Sequence, residues 1–173
     1  MYTWKCSHKF GKCFQSTGQY KKAIECHRKV LEISEELGHK GVVGRSHSNL
    51  GIVYRHIGQY QRAIECHRKH LEIIEELGEK GAVAKANGNL GNAYLSIGQY
   101  QKAIDHHLKY LEISEELGAK ACVGKAHSNL GNAYFNIGQY QKAIECHRKD
   151  LKIAEELGDK DGVARAHVNL GNY

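Results

Sequence analysis

The sequence contains no proline. Pro-rich linkers are therefore excluded, and long uninterrupted helices are favoured. No apolar run approaches the ~20 residues that a bilayer-spanning helix needs. The opening Met1-Tyr2-Thr3-Trp4-Lys5-Cys6 has no apolar stretch of the secretory kind. Membrane insertion is not expected. Aromatic residues make up only 8%, with one tryptophan and three phenylalanines, so base-stacking surfaces are poorly supplied. Charge of one sign is also scarce: 25 Lys and Arg against 19 Asp and Glu leave +6 over 173 residues. That permits acidic partners and disfavours nucleic acid.

Other residues are plentiful: 19 glycines, 12 histidines and six cysteines. At 41% hydrophobic the chain can bury the core of one ordinary domain, and its composition is not that of a disordered segment. Cysteines without a secretory signal point to reduced thiols and a cytoplasmic setting.

The glycines reveal the organisation. Gly-Gln-Tyr recurs from Gly18, Gly58, Gly98 and Gly138, always 40 residues apart. Glu-Glu-Leu-Gly ends at Gly38, Gly78, Gly118 and Gly158, and Asn-Leu-Gly starts at Asn49, Asn89, Asn129 and Asn169. A fixed period of this size marks a solenoid of stacked repeats. Each period contains two helical stripes. In the third copy Val83, Ala86, Leu90, Ala93, Tyr94 and Ile97 form one, and Tyr100, Ala103, Ile104, His107, Leu111 and Ser114 form the other. Gly98-Gln99 breaks the pattern between them, and Gly118 ends the second. Glu115 and Glu116 in that last turn oppose the helix dipole and have no capping explanation in the sequence. A third set, Gly11, Gly51, Gly91, Gly131 and Gly171, falls inside the first helices at about 1 kcal/mol each against alanine. Close helix–helix approach is the expected reason, with Ala23, Ala63, Ala103 and Ala143 as the small facing surface.

Leu90-Gly91-x-x-Tyr94 followed by Ala103-x-x-x-His107 resembles the tetratricopeptide repeat pattern, L-G-x-x-Y then A-x-x-x-F. The frame recurs at Leu50, Gly51, Tyr54 and Ala63, and at Leu130, Gly131, Tyr134 and Ala143. The closing proline is missing and the period is 40 rather than 34. In these departures the chain resembles the Pins/LGN G-protein-signalling modulators and the tetratricopeptide protein 28 group, and more distantly kinesin light chains. The resemblance implies an all-α, right-handed superhelical solenoid of antiparallel helix pairs, about nine helices long. One array is expected over 1–173. Residues 1–40 form a degenerate first repeat, in which Trp4 and Lys9 depart from the pattern and Phe10 and Phe14 replace Leu50 and Tyr54. Residues 41–80, 81–120 and 121–160 are full repeats, and 161–173 a truncated last helix. Neither end carries a polar cap, as expected of a piece of a longer array.

The same resemblance places a peptide-binding groove on the first helices. It implies Arg45, Lys85, Lys125 and Arg165 near their starts, then Ser48, Gly88, Ser128 and Val168. Asn92, Asn132 and Asn172 follow, with Ile52 breaking that series, and then Arg55, Leu95 and Phe135. The chemistry is coherent. An asparagine amide both donates and accepts, so spaced asparagines can hold an extended backbone. The cations favour Asp and Glu, and the two arginines can pair bidentately. Leu95 and Phe135 supply apolar anchors. Asn49, Asn89, Asn129 and Asn169 are expected to bridge neighbouring helices instead.

Competing chemistries are weaker. Cys26-His27, Cys66-His67 and Cys146-His147 are adjacent pairs whose side chains point about 100° apart, which chelates one ion poorly. His27, His67, His107 and His147 are expected to pack between helices, and if buried and neutral to make the fold acid-sensitive. No metal, cofactor or catalytic residue is expected. A non-enzymatic scaffold for an extended acidic peptide is the leading expectation, and for the Pins/LGN group it implies cell-cortex, spindle-orientation or G-protein-signalling assemblies. The protein 28 group would imply a mitotic midzone scaffold. End-to-end self-association is the alternative of another class.

Overall fold

The computed structural model describes Gly11 and residues 13–171. The positions of Trp4, Lys9 and Phe10 in the degenerate first helix lie outside those residues, as does the groove position Asn172. The described residues carry eight bounded helices: α1 (Tyr20–Glu36), α2 (Lys40–His56), α3 (Tyr60–Glu76), α4 (Lys80–Ser96), α5 (Tyr100–Glu116), α6 (Lys120–Asn136), α7 (Tyr140–Leu157) and α8 (Lys160–Leu170). Residues 13–16 are also helical, and no strand occurs among the described residues. The all-α expectation holds. The 40-residue period has a simple origin. Helices α1 to α6 are 17 residues long, with three residues between neighbours, so two helices and two connections make one repeat.

The two families of turn glycine prove to be one device. Gly98 has φ +72° and Gly118 φ +62°, a left-handed conformation that side chains disfavour. Behind Gly118 the Ala119 N–H donates to the Ser114 carbonyl at 2.9 Å, and the Gly118 N–H to the Glu115 carbonyl at 2.9 Å. Behind Gly98 the Gln99 N–H donates to Tyr94 and the Gly98 N–H to Leu95, at 3.0 and 3.1 Å. Both are Schellman caps, which satisfy carbonyls that a helix end leaves bare.

The last-turn glutamates now have an explanation. Lys40, at the start of α2, pairs with Glu76, at the end of α3, at 2.9 Å, and Lys120 pairs with Glu156 across α6 and α7 at 3.3 Å. These pairs show that α2 runs antiparallel to α3, and α6 to α7. Each charge opposes its own helix's dipole but sits beside the opposite pole of its neighbour. The pairs are more than half exposed except at Glu156, so each is worth at most about 1 kcal/mol.

The chain forms two compact units, up to Asn89 and from Leu90 onward, dividing within α4. In the first, Leu50, Tyr54 and Ala63 centre a core that Ile24, Leu31, Ile57 and Cys66 surround. In the second, Ile104, Leu130 and Ala133 do so, with Leu95, Leu111, Tyr134 and Ile137 against them. The stripe residues Ala86, Leu90, Ala93, Ala103, His107 and Ser114 are fully buried, as expected.

The helix-interior glycines do permit close approach, but alanine is not what they meet. A Cβ added at Gly51 would lie 2.5 Å from Cε1 and 2.7 Å from Nδ1 of His67. At Gly91 it would lie 2.6 Å from both ring nitrogens of His107. Gly11 faces His27 and Gly131 faces His147 in the same way. A methyl group would occupy the volume of the ring, so the glycine exists to seat the histidine. Gly171 departs from the expectation. It is the C-cap of α8, and an added Cβ would meet only backbone carbonyls at 3.4 and 3.6 Å.

Candidate functional site

The first-helix face expected to bind a partner is carried by α2 and the start of α4 in the first unit. Arg45, Ser48, Asn49 and Ile52 on α2 line a cleft of about 400 Å³, with Lys85 and Asn89 on α4 across from them. Its remaining wall comes from His70 and Ile74 on α3, its C-cap Leu77, and Glu79 and Ala82. Arg45 and Lys85 are exposed and Ile52 is half-buried, so cationic rims overlook an apolar floor. Asn49 and Ile52 also line an adjoining open hollow of about 590 Å³ with Tyr20 and His56. The rings of Tyr20 and His56 stack there with centroids 5.8 Å apart. Arg55 lines neither space. It is half-buried, and its charge is felt at His67.

In the second unit Lys125 and Arg165 line a smaller hollow of about 110 Å³ with Asp150 and Asp159. Arg165 Nη2 lies 3.6 Å from Asp150 Oδ1, so this cation is already engaged. Asn92 and Asn132 are half-buried, and their backbone carbonyls accept from Ser96 Oγ at 2.9 Å and Asn136 Nδ2 at 2.7 Å. Leu95 packs on the Ile104–Leu130 core, and Phe135 meets Tyr140 edge-on at 5.5 Å. Two positions implied for the groove are buried instead: Ser128 at 5% exposure, and Gly88. The four cations thus come together as two pairs, Arg45 with Lys85 and Lys125 with Arg165.

Some residues escaped the sequence argument. Asn49 and Asn89 face the cleft, although they were expected only to bridge helices. Asn169 does bridge, with Nδ2 3.5 Å from His147 Nδ1. His70 and Asp150 were not singled out at all. They occupy one buried position that reads Val30, His70, Tyr110 and Asp150 along the repeats. Variation at a buried place in an otherwise repeated sequence was the available signal.

His47, His67 and His107 are buried, and burial holds them neutral. Burial, then the charges of Lys69 and His70, push His47 down to about 4. Burial, then His70 and Arg55, push His67 down to about 3. Burial and then His106 take His107 to about 4. Burial also raises the Cys66 thiol to about 11, which leaves it a poor nucleophile at neutral pH. Among the described residues no group of three His, Cys, Asp or Glu side chains is placed to hold a metal ion, and no helix is long and apolar enough to cross a membrane.

Solved structures share this architecture. Aspartyl phosphate phosphatase F from Bacillus subtilis is 19% identical with a TM-score of 0.89, over 96% of this chain and 44% of that one. A Rap protein complexed with Competence and Sporulation Factor is 20% identical with a TM-score of 0.85, over 92% and 45%. A putative kinesin light chain from P. anserina, with nearly identical TPR-like repeats, is 21% identical with a TM-score of 0.77, over 97% and 87%. At these identities the likeness is one of fold, and the chain spans under half the length of the first two. Among curated proteins none matches. The tetratricopeptide repeat family model matches residues 5–76, 42–116 and 122–173. The helix pairs, the Leu-Gly-x-x-Tyr frames and these matches together make the chain a member of the tetratricopeptide repeat family, a protein-interaction fold.

Proposed function

We propose that the chain is a non-enzymatic interaction scaffold that holds an extended acidic peptide on its first-helix face. One observation carries this reading: Arg45 and Lys85 line one cleft that also offers apolar wall and two asparagines. Acidic side chains meet the cations, apolar ones meet Ile52, Ile74 and Leu77, and Asn49 and Asn89 pair with the peptide backbone. The reading extends to Lys125, Arg165, Asn92, Asn132, Arg55, Leu95 and Phe135 as further groove positions. The Rap structure, complexed with Competence and Sporulation Factor, supports a ligand-holding role for the fold. A cytoplasmic, cortical or spindle-orientation setting rests on the resemblance of the 40-residue repeats to the Pins/LGN group.

The test is selection from a library of extended acidic peptides, run on the chain and on an Arg45→Ala, Lys85→Ala variant. Both side chains are exposed, so the variant folds. Peptides retained by the first, lost by the second and released by salt support the reading. Equal retention by both, or none by either, refutes it.

End-to-end association is a second reading, favoured by Val168 on α8, which is 66% exposed. Light scattering that rises with concentration and falls in Val168→Ser would support it. A strict monomer would exclude it.

A further inference from the structure

The hollow beneath Arg165 is smaller than the Arg45–Lys85 cleft and differs from it in its charge. Its inner wall carries a carboxylate where the cleft has His70. Asp150 is 1% exposed, and its Oδ2 finds no hydrogen-bond partner. Its other oxygen lies 3.6 Å from Arg165 Nη2, whose side chain is 45% exposed, and its charge is also felt at His127 and His147. Asp159 also lines the space, but one of its oxygens is committed to the Gly162 N–H at 3.0 Å. A buried carboxylate lacking a donor is costly, and the cost is relieved when a donor arrives.

Charge and size restrict what that donor is. Lys125 and Arg165 face the same hollow as Asp150 and Asp159, so its formal charges balance, and an added ammonium or carboxylate would leave one full charge unmatched at a partly buried place. A primary amide avoids both penalties. Its NH₂ donates to Asp150, and its carbonyl accepts from Arg165 or Lys125. The hollow of about 110 Å³ equals between three and four water volumes of about 30 Å³, room for the three heavy atoms of a carboxamide.

We propose that the Asp150–Arg165 hollow is a subsite for the primary amide of a Gln or Asn side chain, whereas the Arg45–Lys85 cleft takes acidic ones. The peptide form of this proposal rests on the scaffold reading. The position occupied by Val30, His70, Tyr110 and Asp150 then assigns each repeat its preferred side chain.

The test uses the whole chain and small probes, so it does not depend on finding a peptide. Propionamide, sodium propionate and propylamine hydrochloride are titrated separately while the amide signal of Gly124 and the Nε–H signal of Arg165 are followed by NMR. Propionamide should produce saturable shifts that the other two do not. Asp150→Val, which places at 150 the residue buried at 30, should weaken that binding at least about tenfold. Arg165→Met, a change on an exposed stem, should weaken it too and serves if Asp150→Val does not fold. Shifts produced by propionate or propylamine instead, no shift with propionamide, or the same propionamide affinity in both variants would overturn the proposal. Loss of acidic-peptide binding at Arg45 and Lys85 would strike the scaffold reading and leave this result standing.

Discussion

Mild acid should destabilise this protein through its buried histidines. His67 and His107 are at most 1% exposed and His47 is 7% exposed. In the folded chain they hold a proton only below about 3, 4 and 4 respectively. In the unfolded chain each takes its proton near 6.5. Protonation therefore favours the unfolded state. The stability these groups contribute is complete above about pH 6.5 and is lost progressively as pH falls toward their folded values. At pH 5 the gap below 6.5 is 1.5 units, which is about 2 kcal/mol for each histidine and about 6 kcal/mol for the three. A domain of this size has roughly 5–15 kcal/mol in all. His47 and His67 lie in the first unit, so it should weaken more than the second through these three groups. The charges felt at them come from Lys69, His70, Arg55 and His106, none of which stabilises a bound proton. Thermal melts followed by circular dichroism should show a Tm lower by about 12–24 °C at pH 5 than at pH 7.5. His47→Asn supplies the control, because Asn87 fills the equivalent buried position at 2% exposure. That variant should recover about a third of the acid loss. A Tm that does not change between pH 7.5 and 5, or a variant with an unaltered pH slope, would refute the reasoning.

The glycine seats can be tested by contrast. Gly91→Ala gains about 1 kcal/mol of helix propensity but drives a methyl into His107, at a cost of about 1–3 kcal/mol, so a lower denaturant midpoint is expected. Gly171→Ala occupies the same place in the period without a ring beside it and should leave the midpoint unchanged. Gly118→Ala enters open space at φ +62°, so only backbone strain acts, and a loss of about 1–2 kcal/mol in the same assay is expected. Lys40→Ala breaks an exposed ion pair with Glu76 and should cost less than about 1 kcal/mol, with the difference vanishing in high salt.

Much of the fold was legible because the repeat converts sequence spacing into spatial position. Leu90, Ala93 and Ala103 could be placed in the core from their three- and four-residue steps alone, and Gly98 and Gly118 marked helix ends that Schellman caps confirm. The partner of Gly91 was a different matter. Ala103 and His107 lie four apart on one face of α5, both are fully buried, and spacing cannot say which of them slides under α4. The answer lies in volume: the ring needs space that only a missing Cβ leaves. The site divides in the same way. Arg45 and Lys85 are 40 residues apart, and it was the resemblance to the tetratricopeptide repeat family that implied they share one surface. The engagement of Arg165 by Asp150 was hidden, because it joins α8 to α7 at a position where the other repeats carry no carboxylate. A repeated residue maintains the stacking common to all copies, so it says little about what any one copy binds. Val30, His70, Tyr110 and Asp150 are all buried, yet they share neither charge nor size. Stacking alone does not require four different side chains there, which makes this buried position, more than the uniformly cationic one above it, the place to look for how one repeat's surface differs from the next.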